Sequence, residues 1–377
     1  MAIWSFPTRV VFGAGEVART GEEARGAGIQ KALVMTDLGV ARAGLVEPIV
    51  KSLAQAGIDS TVFDAVEANP TEANIEEASK AYAAAGADGV VAIGGGSPLD
   101  AAKLVVLRAK VFRPFEELDD AVDGYRHIPA GIPPVIALPT TAGTGSEVGR
   151  SGVVTVRSTG RKTVIFSPFL IPRVAILDPE LTRSMPAKVT AATGFDALTH
   201  CLEAYVSKGD HPMADAIALG GLELVAEHLL TAVTRGDDLA ARGGMMKAAM
   251  MGAVSFQKGL GACHSLAHPL SSECGLHHGL ANALCLPAVV SFNEGAAQER
   301  LARVARLFGG NGSAGSCEAV LRDLRSKAGL PGALSEVGVQ KAQLSKLADL
   351  AFQDACHASN PRPCTRDDLL ALYERSF

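Results

Sequence analysis

This 377-residue chain has no cluster of Lys and Arg; its basic residues are scattered. Its 35 Lys and Arg face 40 Asp and Glu, for a formal net charge of −5. A nucleic-acid partner would call for a basic face, so the balance argues against that class. The opening segment "MAIWSFPTRVVFGAGEV" lacks a basic stretch followed by a long apolar one, which argues against a signal peptide. Apolar runs such as "DGVVAI" and "PPVIAL" are too short to cross a bilayer, and no membrane partner is expected. The seven cysteines (Cys201, Cys263, Cys274, Cys285, Cys317, Cys356 and Cys364) form no C-x-x-C pair. An odd count without a secretion signal reads as free thiols in a reducing cytosol, hence a cytoplasmic protein. No internal repeat or low-complexity tract interrupts the chain.

What is present is material for a large core: 48% of residues are hydrophobic and 20% charged. The length favours two domains. In the first half, short apolar runs alternate with helical stretches. Strand-like "KALVMTD" (31–37), "STVFDAV" (60–66), "DGVVAI" (88–93) and "PPVIALPTT" (133–141) are separated by helical "VEPIVKSLAQAG", "TEANIEEASKAYAAAG" and "SPLDAAKLVVLRAK". "GVVTV" and "RVAILD" carry the pattern to about Asp178. This rhythm predicts an α/β, Rossmann-like domain with a mostly parallel sheet. Beyond "DPELTRSMP" the chain turns Ala-, Leu- and Met-rich with helical periodicity, predicting an all-α C-terminal domain. The boundary is placed at 183/184.

Two loops bear on ligand binding. "AIGGGSPLDAAK" sets Gly94, Gly95, Gly96 and Ser97 between a strand and a helix. Consecutive glycines let backbone N–H groups approach an anion at a helix N-terminus, so the loop reads as a pyrophosphate cradle. It is neither G-x-G-x-x-G nor a P-loop. Asp37, ending the strand "KALVMTD", could accept the ribose hydroxyls and would repel a 2′-phosphate, favouring NAD over NADP; a helix cap is an equal reading of that residue. "LPTTAGTGSEV" adds Thr140, Thr141, Thr144 and Ser146 as donors after a later strand.

The second half concentrates histidine. Asp196 and His200 in "TAATGFDALTHCLEAYV" are four apart and share a helix face. "GLGACHSLAHPLSSECGLHHG" reads as buried helix and supplies His264 and His268 at the same spacing, then His277 and His278. Asp196, His200, His264 and His278 would give a divalent cation three imidazoles and one carboxylate, with room for substrate. Adjacent helical residues point about 100° apart, so only one of His277 and His278 faces such a site. His127, His211, His228 and His357 read as ordinary hydrogen-bonded histidines.

Taken together, "FGAGEV", "GGGSPLDAAK", "PTTAGTGSEV", "DPELT", "GFDALTHCLEAYVS", "KGLGACHSLAHPL", "HHGLANALCLP" and "NPRPCTRDDLLALY" resemble the iron-containing (group III) alcohol dehydrogenase family over nearly the whole chain. The resemblance implies metal ligation by the same four residues and places His268 near the nicotinamide and the proton pathway. It implies NAD contacts at Asp37, Asn69, Gly95, Gly96, Ser97, Thr140, Thr141, Lys162 and Leu181. It also implies NAD and Fe²⁺ as cofactors, although imidazole and carboxylate would accept Zn²⁺ equally. The expected activity is interconversion of a short-chain primary alcohol and its aldehyde by a homo-oligomer, a dimer first. "SFQKGLG" and "TAATG" are similar to the 4-hydroxybutyrate dehydrogenase branch, where Arg150 could pair with a substrate carboxylate. Phe256 and Cys356 are candidate pocket residues. A metal-independent maleylacetate-type reductase, a zinc-dependent glycerol dehydrogenase and a non-catalytic metal-binding protein are the competing readings.

Overall fold

The computed structural model describes residues 8–158 and 160–377. Residues 1–7, the start of the segment read for a signal peptide, lie outside the described residues. The described residues form two compact units. One holds 8–141 and Gly145–Ser184; the other holds Ala142–Thr144 and Met185–Phe377.

In the first unit, β1 (Arg9–Phe12), β2 (Lys31–Met35), β3 (Asp59–Phe63), β4 (Gly89–Gly94) and β5 (Val135–Pro139) join a later strand, Val174–Leu177, in one six-stranded sheet. With the hairpin strands β6 (Ser151–Thr155) and β7 (Lys162–Phe166) intervening in sequence, that later strand is β8. The order is β1-β8-β5-β4-β2-β3, and every pair is parallel. The central strands β4, β5 and β8 are buried at every position, as expected for a sheet covered on both faces. Alternate residues enter two cores. Val34, Val91, Ile93 and Ile136 join Ala24, Ile49 and Leu53 of α1 (Thr20–Gly26) and α3 (Glu47–Gln55). Leu33, Met35, Val90 and Ala92 join Ile75, Ala78, Leu104 and Val105 of α4 (Glu72–Ala84) and α5 (Gly96–Arg108). Between β2 and α3 lies the short α2 (Leu38–Arg42).

The mostly parallel α/β expectation is met, with one correction. "GVVTV" does not extend the parallel pattern. It forms β6, which pairs antiparallel with β7, a strand the sequence reading did not assign. Along both hairpin strands buried residues alternate with less buried ones, half-buried in β6 and mostly exposed in β7, the pattern of a sheet covered more on one face. Asp100 of α5 ties the hairpin down by accepting the Val153 N–H at 3.2 Å.

The second unit contains no strand among the described residues. Its helices are α6 (Ala187–Val206), α7 (Pro212–Thr234), α8 (Leu239–Ser255), α9 (Ala262–Cys274), α10 (His278–Phe292), α11 (Gln298–Leu307), α12 (Ser316–Lys327), α13 (Leu344–Gln353) and α14 (Arg366–Ser376). The α7 helix is long and apolar enough to cross a membrane, a feature the shorter runs considered in the sequence do not reveal. Here it packs on α6 and α8, burying Ala218, Leu222, Val225 and Leu229 while exposing Glu223 and Glu227.

Candidate metal centre and nucleotide loops

The α6 helix is buried along nearly its whole length, and its polar residues therefore need internal partners. Asp196, His200 and Glu203 succeed one another at one-turn spacing on this helix. The expected single histidine-rich helix is two helices. His264 and His268 lie on α9, which ends at Gly275 in a left-handed cap, and His278 opens α10. Gly279 lets α10 approach, since a Cβ there would stand 2.0 Å from the Ala192 carbonyl oxygen and 3.2 Å from Asp196 Cβ. His277 is the exposed residue just outside α10, so the helix start, rather than rotation along a helix, separates it from His278.

Asp196 Oδ1 is the centre of the cluster. Nε2 of His278 lies 3.5 Å away, and Nε2 of His200 and His264 each 3.9 Å. None is at hydrogen-bond distance. Two ligand atoms bound about 2.1 Å from one tetrahedral cation are about 3.4 Å apart, so the four atoms are spaced as ligands slightly opened out. Ligand atoms of Asp196, His200 and His264 all fall within 4.8 Å of one another. His264 Nε2 is buried without a hydrogen-bond partner, which an apolar interior does not tolerate without cost. The donor set fits a divalent cation.

Electrostatics agree. Burial pushes His200 down to about 4 and His278 well below the ordinary histidine range, keeping both rings neutral with a lone pair to give. Burial alone would raise Asp196, but the surrounding histidines outweigh it and hold the carboxylate low. His264 differs. Burial lowers it, yet Glu203 reverses the balance and raises it, through a hydrogen bond of 2.6 Å to Nδ1. With Nδ1 facing that carboxylate, the free Nε2 points at Asp196, the arrangement by which carboxylates orient metal-binding imidazoles. Asn282 Nδ2 donates to Asp196 Oδ1 at 2.9 Å and fixes the carboxylate in turn.

His268 stands at the edge of this cluster. Its ring stacks on that of His278 with centroids 5.2 Å apart, and its Nδ1 lies 2.7 Å from Asp354 Oδ2. Ser265 Oγ and the Cys356 N–H both donate to the other Asp354 oxygen at 2.8 Å. Burial opposes ionisation of Asp354, but His268 prevails and drives the carboxyl far below its usual range.

In the α/β unit, the sequence-derived residues gather at the carboxyl ends of the parallel strands. Asp37 follows β2, Asn69 follows β3, Gly95, Gly96 and Ser97 follow β4, Thr140 and Thr141 follow β5, and Leu181 follows β8. Gly94 adopts φ +152°, and a Cβ there would meet Pro98 Cγ at 2.5 Å; glycine is what allows α5 to start so abruptly. The Ser97 hydroxyl donates to the Ala68 carbonyl at 2.5 Å, beside Asn69. The β6–β7 register sets Lys162 opposite Thr155, whose N–H donates to the Pro70 carbonyl at 2.8 Å. Leu181 is buried in the sheet's core. Asp37 does cap α2, accepting the Val40 N–H at 3.0 Å.

Two hydroxyl residues are placed differently from the rest. Thr144 belongs to the helical unit with Ala142 and Gly143. Ser146, expected to face the nucleotide, is engaged within the fold: its Oγ donates to Asp100 at 2.5 Å and accepts from the buried Lys103 Nζ at 2.7 Å. Beside it, burial pushes the Glu147 carboxyl up to about 7 against the pull of Lys103. Between about pH 4.5 and 7 the unfolded chain loses this proton while the folded protein keeps it, so stability falls as pH rises through that window. Glu147→Gln should therefore melt higher than the parent at about pH 8, by up to ~3 kcal/mol, with no advantage at about pH 4. Melting curves at the two pH values check this; an equal difference at both would refute it.

Comparison with known proteins agrees along both units. Residues 7–179 match the family model described as iron-containing alcohol dehydrogenase, and residues 190–377 that of the Fe-containing alcohol dehydrogenase family, C-terminal. The chain belongs to the iron-containing alcohol dehydrogenase family. It is 39% identical to a 4-hydroxybutyrate dehydrogenase of Cupriavidus necator and 35% identical to an NAD-dependent methanol dehydrogenase of Bacillus methanolicus, covering all of both chains in each case. A solved 1,3-propanediol oxidoreductase superposes with a TM-score of 0.96 at 35% identity, again over the full length of both.

For this iron-family alcohol dehydrogenase chain, sequence reasoning passed over Glu203, Asn282 and Asp354. Two of them had a signal. Glu203 is one turn beyond His200, and Asn282 one turn beyond His278, on the same helix faces. Asp354 had none: it lies 86 residues from His268, past the end of α13.

Proposed function

We propose that this chain is a metal-dependent NAD(H) oxidoreductase interconverting a short-chain primary alcohol and its aldehyde. The observation that carries the reading is the convergence of three imidazole Nε2 atoms on Asp196 Oδ1, with His264 Nε2 buried and unpartnered. Residues 1–183 serve as the NAD-binding domain and 184–377 as the metal-binding domain. Asp196, His200, His264 and His278 hold the cation, Fe²⁺ by family and Zn²⁺ by ligand chemistry alone. When bound, the cation supplies Lewis acidity to the substrate oxygen and the nicotinamide exchanges the hydride. Burial keeps His200 and His278 neutral, so they donate lone pairs and add no charge. His268 relays the substrate proton, with Asp354 fixing its Nδ1 side. Gly95, Gly96 and Ser97 bring the N-terminus of α5 to the pyrophosphate, with Thr140, Thr141, Asn69, Lys162 and Leu181 around it. Cytoplasmic location, resting on seven free thiols, and a homodimeric assembly complete the proposal.

The test is NAD-linked turnover after Fe²⁺ or Zn²⁺ loading, across primary alcohols and ω-hydroxy acids. Turnover that chelation removes supports the reading, and none with either metal on any of these substrates overturns it. Asp37→Gly should raise kcat/KM for NADP relative to NAD by about tenfold, because a like charge opposite the 2′-phosphate is removed. Glycine still caps a helix within a few tenths of a kcal/mol, so stability should barely move. An unchanged cofactor ratio would remove Asp37 from the ribose site.

A second reading, 4-hydroxybutyrate oxidation, is favoured by Arg150. Its guanidinium lies 5.1 Å from the Phe166 ring centroid, and burial lowers its pKa with no carboxylate opposing the shift. A substrate carboxylate would complete its environment. Higher kcat/KM for 4-hydroxybutyrate than for 1-butanol, lost in Arg150→Ala, would establish it.

A further inference from the structure

A second group of ligand atoms lies on the helical unit, at the edge of the Asp196 cluster and sharing none of its four residues. His268 on α9, Asp354 just after α13, and Cys356 two residues on offer an imidazole nitrogen, a carboxylate oxygen and a thiol sulfur, all within 4.8 Å of one another. Asp354 is their pivot. One of its oxygens lies 2.7 Å from His268 Nδ1, and the other accepts the Cys356 N–H and the Ser265 hydroxyl, each at 2.8 Å. The Ser265 hydroxyl in turn accepts the His357 N–H at 2.8 Å. The carboxylate is thus held in place before any ligand arrives. The group is open to solvent, with the His268 side chain 41% and that of Asp354 20% exposed.

We propose that His268, Asp354 and Cys356 form a second divalent-cation site, for zinc-class ions. The ligand set decides the class: thiolate and imidazole favour Zn²⁺ and Co²⁺ over Mg²⁺ and Ca²⁺. Three protein ligands leave a fourth position to water. The proton balance is simple. The Cys356 thiol releases its proton to solvent as sulfur binds the cation. The His268 ring stays neutral by carrying its proton on Nε2 once Nδ1 is engaged. Thiolate and carboxylate then cancel the two positive charges, so the occupied site is itself neutral, one positive unit above the empty one. One consequence rests on the relay role proposed for His268. With its proton fixed on Nε2, the ring can no longer accept one from substrate, so excess zinc slows turnover.

Cobalt separates the two sites because sulfur is present in only one. Asp196, His200, His264 and His278 give cobalt ligand-field bands but no thiolate-to-cobalt charge-transfer band in the near ultraviolet. Titrating the full-length, metal-stripped protein with Co²⁺ should fill one site without that band and a second with it. Elemental analysis should show two ions per chain at saturation. Cys356→Ser should lose the band and the second ion while keeping the first, and Asp354→Asn should lose the second ion as well. Absence of the band at saturation, or its survival in Cys356→Ser, overturns the site. In the parent enzyme, filling the second site with Zn²⁺ should lower kcat at least about tenfold. If the second ion binds without slowing turnover, the site stands and the relay role of His268 falls.

Discussion

Asp196→Ala should lose bound metal and alcohol oxidation together, with kcat/KM falling at least a thousandfold, about 4 kcal/mol of transition-state stabilisation. The carboxylate is the one anion among the four candidate ligands. Its Oδ1 is the atom that three imidazoles approach within 3.9 Å, and it also accepts the Asn282 amide at 2.9 Å. Without it, a dication would sit among neutral rings with no compensating charge, and Asn282 would lose its acceptor. His264→Ala should behave alike, because its Nε2 has no other partner. His277→Ala should retain most activity, since that ring lies outside α10 and is exposed. NADH fluorescence titration should show Asp196→Ala still binding the nucleotide, whose proposed contacts lie in the α/β unit apart from Thr144. Metal content by elemental analysis is the deciding measurement. Full activity in a metal-free preparation would sink this mechanism and revive the metal-independent reductase reading.

How much of this was legible beforehand follows from how far each signal travels along the chain. The buried runs that became β2, β4, β5 and β8 announce themselves locally, because a strand covered on both faces must be apolar throughout. The order β1-β8-β5-β4-β2-β3 was not legible, since it is set by pairings between distant segments. β1 escaped notice because it is four residues long and mostly unburied at the sheet's edge. The β6–β7 hairpin was misread because "GVVTV" is apolar by composition, while its half-burial depends on which face the neighbours cover. In the site, Asp196 and His200 were legible as a one-turn pair, and so were His264 and His268. That His264 turns toward Asp196 while His268 turns toward Asp354 depends on contacts between segments, Glu203 with His264 and Asp354 with His268, and spacing along one helix does not tell which side chain of another segment it meets.

Glu203→Gln tests that last point. The change preserves size and removes a buried charge, yet it should weaken metal binding by 10- to 100-fold. Glu203 Oε1 accepts the Cys263 N–H at 2.7 Å, while Oε2 faces His264 Nδ1 at 2.6 Å. A carboxylate accepts at both oxygens; an amide accepts at one and donates at the other. If the amide oxygen stays on the Cys263 N–H, the NH₂ group confronts Nδ1 and drives the His264 proton to Nε2. That is the nitrogen aimed at Asp196, and a protonated nitrogen has no lone pair for a cation. If the amide flips, its NH₂ group meets the backbone N–H of Cys263 instead, and two donors face each other in a buried space. Either arrangement weakens the centre without touching a proposed ligand. Competition with a chelator of known affinity measures the loss, and saturating Fe²⁺ should recover much of kcat, which separates weaker binding from a damaged fold. Unchanged metal affinity in Glu203→Gln would mean that His264 is oriented by packing alone and that the Glu203 contact plays no part in the centre.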